Sequence, residues 1–186
     1  MVICAVGQLA AIAGLLESGP DEESSLAGLE LVARKTKALV TMAGGVFPEG
    51  RDGFNWRCDL PSAAKVVNHW PTRLAVMPLG ASILTGGPLV AEGSPENPCR
   101  RAYDIYVKET HKSRSSWDLC AVLYTARGCG PWFREKAGYR IRLDAETGMG
   151  RWQKDASSPQ VVIEQAASDE SIREVLDDLL VRPPVR

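Results

Sequence analysis

Three short apolar runs, each closed by glycine and separated from the next by a helical stripe, constrain this chain's fold more than any other feature. Val2-Ile3-Cys4-Ala5-Val6 runs into Gly7, Lys37-Ala38-Leu39-Val40-Thr41-Met42 runs towards Gly44-Gly45, and Leu74-Ala75-Val76-Met77 stops just before Gly80. Runs this short and this continuously apolar suit strands buried on both faces of a parallel sheet. Between them, residues 9–16 turn helical and Gly19-Pro20 stops that helix. Asp21-Glu22-Glu23 then precedes a second helix with Leu26, Leu29, Val32 and Ala33 as its buried stripe. A third begins at Leu60 or Pro61, with Ala63, Ala64, Val66 and Val67 as its apolar side. Strand and helix alternate, which predicts an α/β fold, a parallel sheet flanked by helices with right-handed crossovers. Ligands of open parallel sheets bind beyond the carboxyl ends of the strands. Val6-Gly7, Met42-Ala43-Gly44-Gly45 and Met77-Pro78-Leu79-Gly80 are therefore expected to line one crevice.

The remainder predicts a different texture. Residues 46–55 read as a Gly-, Pro- and charge-rich loop, and residues 86–98 as a Gly/Pro-rich connection. Helices are expected over 100–108 and 117–127. Tyr139-Arg140-Ile141-Arg142-Leu143-Asp144 alternates at period two, and Glu146-Thr147-Gly148 turns it towards Arg151-Trp152-Gln153, which predicts a small β-hairpin over 139–153. Ser168-Asp169-Glu170 caps a closing helix whose buried face is Ile172, Val175, Leu176 and Leu179, with Pro183-Pro184 beyond it. The expected organisation is a single partial domain over 1–186, with an α/β core over 1–128 and the hairpin and closing helix over 129–186.

Charge and cysteine usage narrow the partners. A formal net charge of -1 lacks the clustered positive potential that nucleic acid or an anionic membrane requires, so a small neutral or weakly charged ligand is expected. The five cysteines, Cys4, Cys58, Cys99, Cys120 and Cys129, make no paired CxxC zinc spacing and read as reduced thiols in an intracellular, cytoplasmic protein. The apolar stretch 1–16 lacks a basic flank and is too short to span a bilayer. The only histidines, His69 and His111, have no nucleophile motif around them. Asp52 and Glu135 are loop acids expected on a solvated surface.

Four landmarks follow one another along the chain: V-G-x-L at Val6-Gly7-Gln8-Leu9, M-x-G-G at Met42-Ala43-Gly44-Gly45, Phe54-Asn55 followed by Asp59 and then Ala63-Ala64, and a helix opened by Asp118 behind Ser113-Arg114-Ser115-Ser116-Trp117. Their order resembles that of the nucleoside hydrolase family, inosine/uridine-preferring type. The resemblance covers the C-terminal portion of that family, over about residues 2–128. It implies a Rossmann-like core whose N-terminal strands are missing here, and a general base expected upstream of Met1. It implies hydrolysis of the N-glycosidic bond of ribonucleosides to base and ribose with the help of Ca2+, a hard cation that takes oxygen ligands and lowers the pKa of bound water. Carried over, Asp118 and the main-chain carbonyl of Val6 would be calcium ligands, and Met42, Asn55 and Trp117 would touch the substrate. The alternative expectation is a non-catalytic member that binds a nucleoside or ribosyl compound, or serves as an assembly module. Missing strands would leave apolar sheet edges bare, so self-association into a homo-oligomer is a further expectation.

Overall fold

The computed structural model of the protein describes residues 1–44, 47–110 and 113–182, and over 107–110 the backbone alone. His111, Gly45 of the second landmark and the Pro183-Pro184 stop lie outside the described residues.

The chain opens with β1 (Val2–Ala5), and helices α1 (Ala10–Glu17) and α2 (Gly28–Lys35) carry it to β2 (Ala38–Met42). The two helices touch at Gly28, where a side-chain Cβ would come within 1.7 Å of the Leu15 carbonyl oxygen, so this approach requires glycine. α2 consequently buries Gly28 and Val32, while Leu29, expected inside, is 47% exposed. A short strand, β3 (Glu49–Arg51), lies within the segment expected to be wholly loop. After a 3-10 turn at Arg57–Asp59 comes α3 (Leu60–His69), capped by the Asp59 carboxylate, which accepts the Ser62 N–H at 3.2 Å. β4 (Arg73–Met77) follows as the third parallel strand of the alternation. There follow β5 (Leu84–Thr85), α4 (Gly87–Glu92), α5 (Pro98–Thr110), β6 (Arg114–Ser115) and α6 (Trp117–Arg127). The last stretch holds β7 (Phe133–Lys136), β8 (Tyr139–Leu143), β9 (Met149–Lys154), β10 (Gln160–Gln165) and α7 (Asp169–Val181), whose cap is the Ser168 hydroxyl accepting the Ser171 N–H.

The main sheet has five strands in the order β1-β2-β4-β10-β7. The first four run parallel, with Ile3 beside Leu39, Leu39 beside Leu74 and Val161 beside Ala75, and β7 closes the far edge antiparallel to β10. Alternation along each strand feeds two cores. Leu39, Leu74, Val76 and Val162 face α1, α2 and α3, whereas Val40, Ala75, Met77, Val161 and Ile163 face α6 and α7. The hairpin is present as β8 and β9 with Ile141 opposite Trp152, and β3 joins it into a three-stranded sheet. Ile141, Leu143 and Trp152 pack onto the α3 side of the main core.

The two sheets end differently. The free edge of β8 is closed by side chains: Gln160 accepts the Ile141 N–H at 2.7 Å, and Asn68 both accepts the Leu143 N–H at 3.0 Å and donates to the Leu143 carbonyl at 2.9 Å. β1 was expected to be buried on both faces. It instead forms an edge of the main sheet, with Val2 43% and Val6 39% exposed. Apolar patterning fits an uncovered apolar edge as well as a central strand, so the sequence could not separate them.

Candidate functional site

The C-terminal ends of β1, β2 and β4 open into a cavity of about 600 Å3 lined by Val6, Met42, Ala43, Pro78, Trp117, Asp118, Arg114 and the 52–55 loop. The first turn of α6 is brought there by Gly80. Its backbone has φ 112° and lies so close to the Ser116-Trp117 peptide that a Cβ would meet it at 2.6 Å. The Ser116 N–H donates to the Gly80 carbonyl at 2.9 Å, and the Ser116 hydroxyl is paired with Thr85 Oγ1 at 2.8 Å. The α6 start is thereby fixed against the end of β4, with Trp117 and Asp118 facing the space beyond.

A carboxylate builds the opposite wall. Asp52 Oδ1 accepts the Gly44 N–H at 2.9 Å, while Oδ2 accepts those of Phe54 at 3.0 Å and Trp56 at 2.8 Å. Asp52 is therefore a loop-organising acid rather than the solvated one expected. Trp56 is buried and its indole N–H donates to Thr41 Oγ1 at 3.2 Å, which ties the loop to β2. Between these two anchors Asn55 donates its amide to the Met42 carbonyl at 2.7 Å and lies 3.3 Å from the Met42 sulfur. Its amide nitrogen is thus engaged, and Oδ1 is the atom left for a ligand. Glu135, the other loop acid, sits on β7, where it accepts the Tyr124 hydroxyl at 2.7 Å and pairs with Arg73.

The five residues named from the sequence, Val6, Met42, Asn55, Trp117 and Asp118, all line this one cavity. Asp118 is exposed to the cavity and makes no hydrogen bond or ion pair among the described residues. The surrounding protein still desolvates it, which raises its pKa, and the Arg114 charge opposes that rise. Arg114 belongs to the landmark before Asp118 but was given no site role from the sequence. Its guanidinium carbon lies 5.0 Å from the Tyr106 ring centroid and 5.1 Å from that of Trp117. Phe54, 65% exposed, adds a second aromatic face to the lining. The signal for Arg114 was only its position four residues before Asp118. A second cavity, of about 630 Å3, lies between α4 and α7, lined by Glu92, Arg173, Glu174 and Asp177. It shares none of the strand ends and holds none of the residues named above.

No family model matches the sequence, and no curated protein matches it by sequence either. Comparison of structures finds a likeness to an inosine-guanosine nucleoside hydrolase, with TM-score 0.66 at 17% identity over 96% of this chain. The chain has a nucleoside-hydrolase-like fold. It spans 60% of the length of that enzyme.

The donor set of this cavity does not make a calcium site. Asp118, the Val6 carbonyl and Asn55 Oδ1 offer three groups with oxygen donors, against the roughly six to eight oxygen ligands that calcium takes. Asp52 has already given both carboxylate oxygens to backbone N–H groups. No cluster of three or more His, Cys, Asp or Glu that could hold a metal occurs among the described residues. Nor, among them, is any helix long and apolar enough to cross a membrane.

Proposed function

We propose that the protein recognises ribonucleosides in the cavity at the β1, β2 and β4 ends, and that the reaction it serves is hydrolysis of their N-glycosidic bond. The observation that carries this reading is the convergence of Met42, Asn55, Trp117 and Asp118, which come from three separate parts of the chain, on one cavity. In a nucleoside-hydrolase-like fold, the place is the one where an α/β sheet binds its ligand. The chemistry of the lining suits the ligand. Asp118 as carboxylate accepts hydrogen bonds from ribose hydroxyls, Asn55 Oδ1 accepts another, the Met42 sulfur packs on the sugar, and Trp117 offers a face to the base. In the hydrolysis, water adds its oxygen to C1′ as the C1′–N bond breaks, one proton leaves the water, and the base departs with a proton. To this reaction the described residues would bring binding and a single unpaired carboxylate, Asp118.

The test is release of free base from inosine and uridine, measured with the wild-type chain and with Asp118→Ala. Release that disappears in Asp118→Ala supports the reading; release undiminished in the variant sinks it. The shortage of carboxylates favours one second reading, a site that binds without hydrolysing. It predicts nucleoside binding by calorimetry with no base released.

A further inference from the structure

Arg114 is unexplained by a neutral ligand. Some described arginines end on an acid, Arg34 on Glu30, Arg140 on Asp155 and Arg182 on Asp178, and others, such as Arg127 and Arg142, are exposed away from the cavity. Arg114 has no ion-pair partner among the described residues, although it lines the same cavity as Asp118. Its position is nevertheless fixed. The backbone is held in the β5–β6 ladder opposite Thr85, the neighbouring Ser115 hydroxyl donates to the Ala81 carbonyl at 2.8 Å, and the guanidinium lies over the Tyr106 and Trp117 rings. An arginine stacked in this way has given up much of its side-chain freedom already, and it keeps its planar fork of N–H donors for a partner. The partner best matched to that fork is a carboxylate or a phosphoryl group, which it can grip bidentately.

Resting on the ribonucleoside reading above, we propose that the preferred ligand carries a phosphoryl group on its ribose and that Arg114 recognises it. The cavity then has two charged subsites with opposite tasks. Asp118 takes the hydroxyl donors of the sugar and would repel an anion, while Arg114 takes the anion. A ligand with neutral hydroxyls at one end and a phosphoryl group at the other fits that polarity, and a nucleoside alone leaves the arginine unused.

Isothermal titration of the full chain at low salt, using inosine, inosine 5′-monophosphate and ribose 5-phosphate as probes, tests the proposal. The monophosphate should bind about tenfold or more tightly than inosine, as a charge-assisted bidentate contact allows. That ratio should fall to about one in Arg114→Gln and should persist in Arg127→Gln, which alters an exposed arginine of α6 outside the cavity lining. Added salt should shrink it. Equal affinities in the wild type, or a ratio that survives Arg114→Gln, would overturn the proposal while leaving nucleoside recognition standing. Ribose 5-phosphate binding as well as the monophosphate would support phosphoryl recognition and identify the ligand as a ribosyl phosphate. Failure of all three probes to bind would remove both the proposal and the reading beneath it.

Discussion

Asp118 separates a binding residue from a helix cap, because the two roles predict opposite responses to its removal. Its pKa is raised by burial, so the folded chain holds a proton on it at pH values where the unfolded chain has lost that proton. Its contribution to stability therefore falls as pH rises through that window, and it makes no hydrogen bond whose loss would weaken the fold. Asp118→Asn is expected to leave Tm unchanged or raised while nucleoside binding is lost; a cap would instead cost stability. The same raised pKa sets a pH dependence. Nucleoside affinity measured by calorimetry should weaken as pH falls, starting at a higher pH than an ordinary aspartate would give. Arg114→Gln removes the opposing charge and should move that midpoint further up; affinity that stays flat through the acid range would contradict the role given to Asp118. That Asp118 and Asn55 line one cavity was legible because their landmarks follow one another in a specific order. Arg114 was not, because an arginine in the polar stretch Lys112-Ser113-Arg114-Ser115 looks like any solvated cation until Tyr106 is seen beside it. Asp52 was misplaced in solvent for a similar reason: its partners are backbone N–H groups, which carry no sequence signature.

Two close backbone approaches set how the elements pack, Gly28 between α1 and α2 and Gly80 at the start of α6 beside the cavity. In Gly28→Ala the added methyl would press on the Leu15 carbonyl, and the clash outweighs a gain in helix propensity of at most about 1 kcal/mol. The expected net cost is about 2 kcal/mol, or roughly 4–8 °C in Tm for a chain of this size by calorimetry. A Tm within a degree of wild type would mean that α1 and α2 are not packed as described. Strand and helix positions were readable wherever a local pattern specified them, as in α3, α6 and α7. β10 was not, although Val161, Val162 and Ile163 form an apolar run, because its place between β4 and β7 depends on pairing with residues far away in sequence. β3 escaped for the same reason: Glu49-Gly50-Arg51 becomes a strand only because β9 lies alongside it.

For the whole molecule the sheet edges matter most. β8 is closed by Asn68 and Gln160, but β1 carries no charged residue and no proline, and Val2, Val6 and nearby Val122 of α6 are exposed. Uncharged edges of this kind pair with other chains. Light scattering across a concentration series should therefore show growing self-association, and Val2→Lys, which places a charge on that edge, should reduce it. A monodisperse monomer at every concentration would contradict the assignment of β1 as a bare edge. The nucleoside-hydrolase-like architecture places the cavity beside that edge, since Val6 both follows β1 and lines the cavity.

Calorimetric titration of inosine into the wild-type chain and into Asp118→Asn, at neutral pH, bears most directly on the central claim. Saturable binding by the wild type that disappears in a folded Asp118→Asn protein is the predicted result. No binding by the wild type, or equal binding by both proteins, would show that the cavity at the β1, β2 and β4 ends is not a ribonucleoside site built around Asp118.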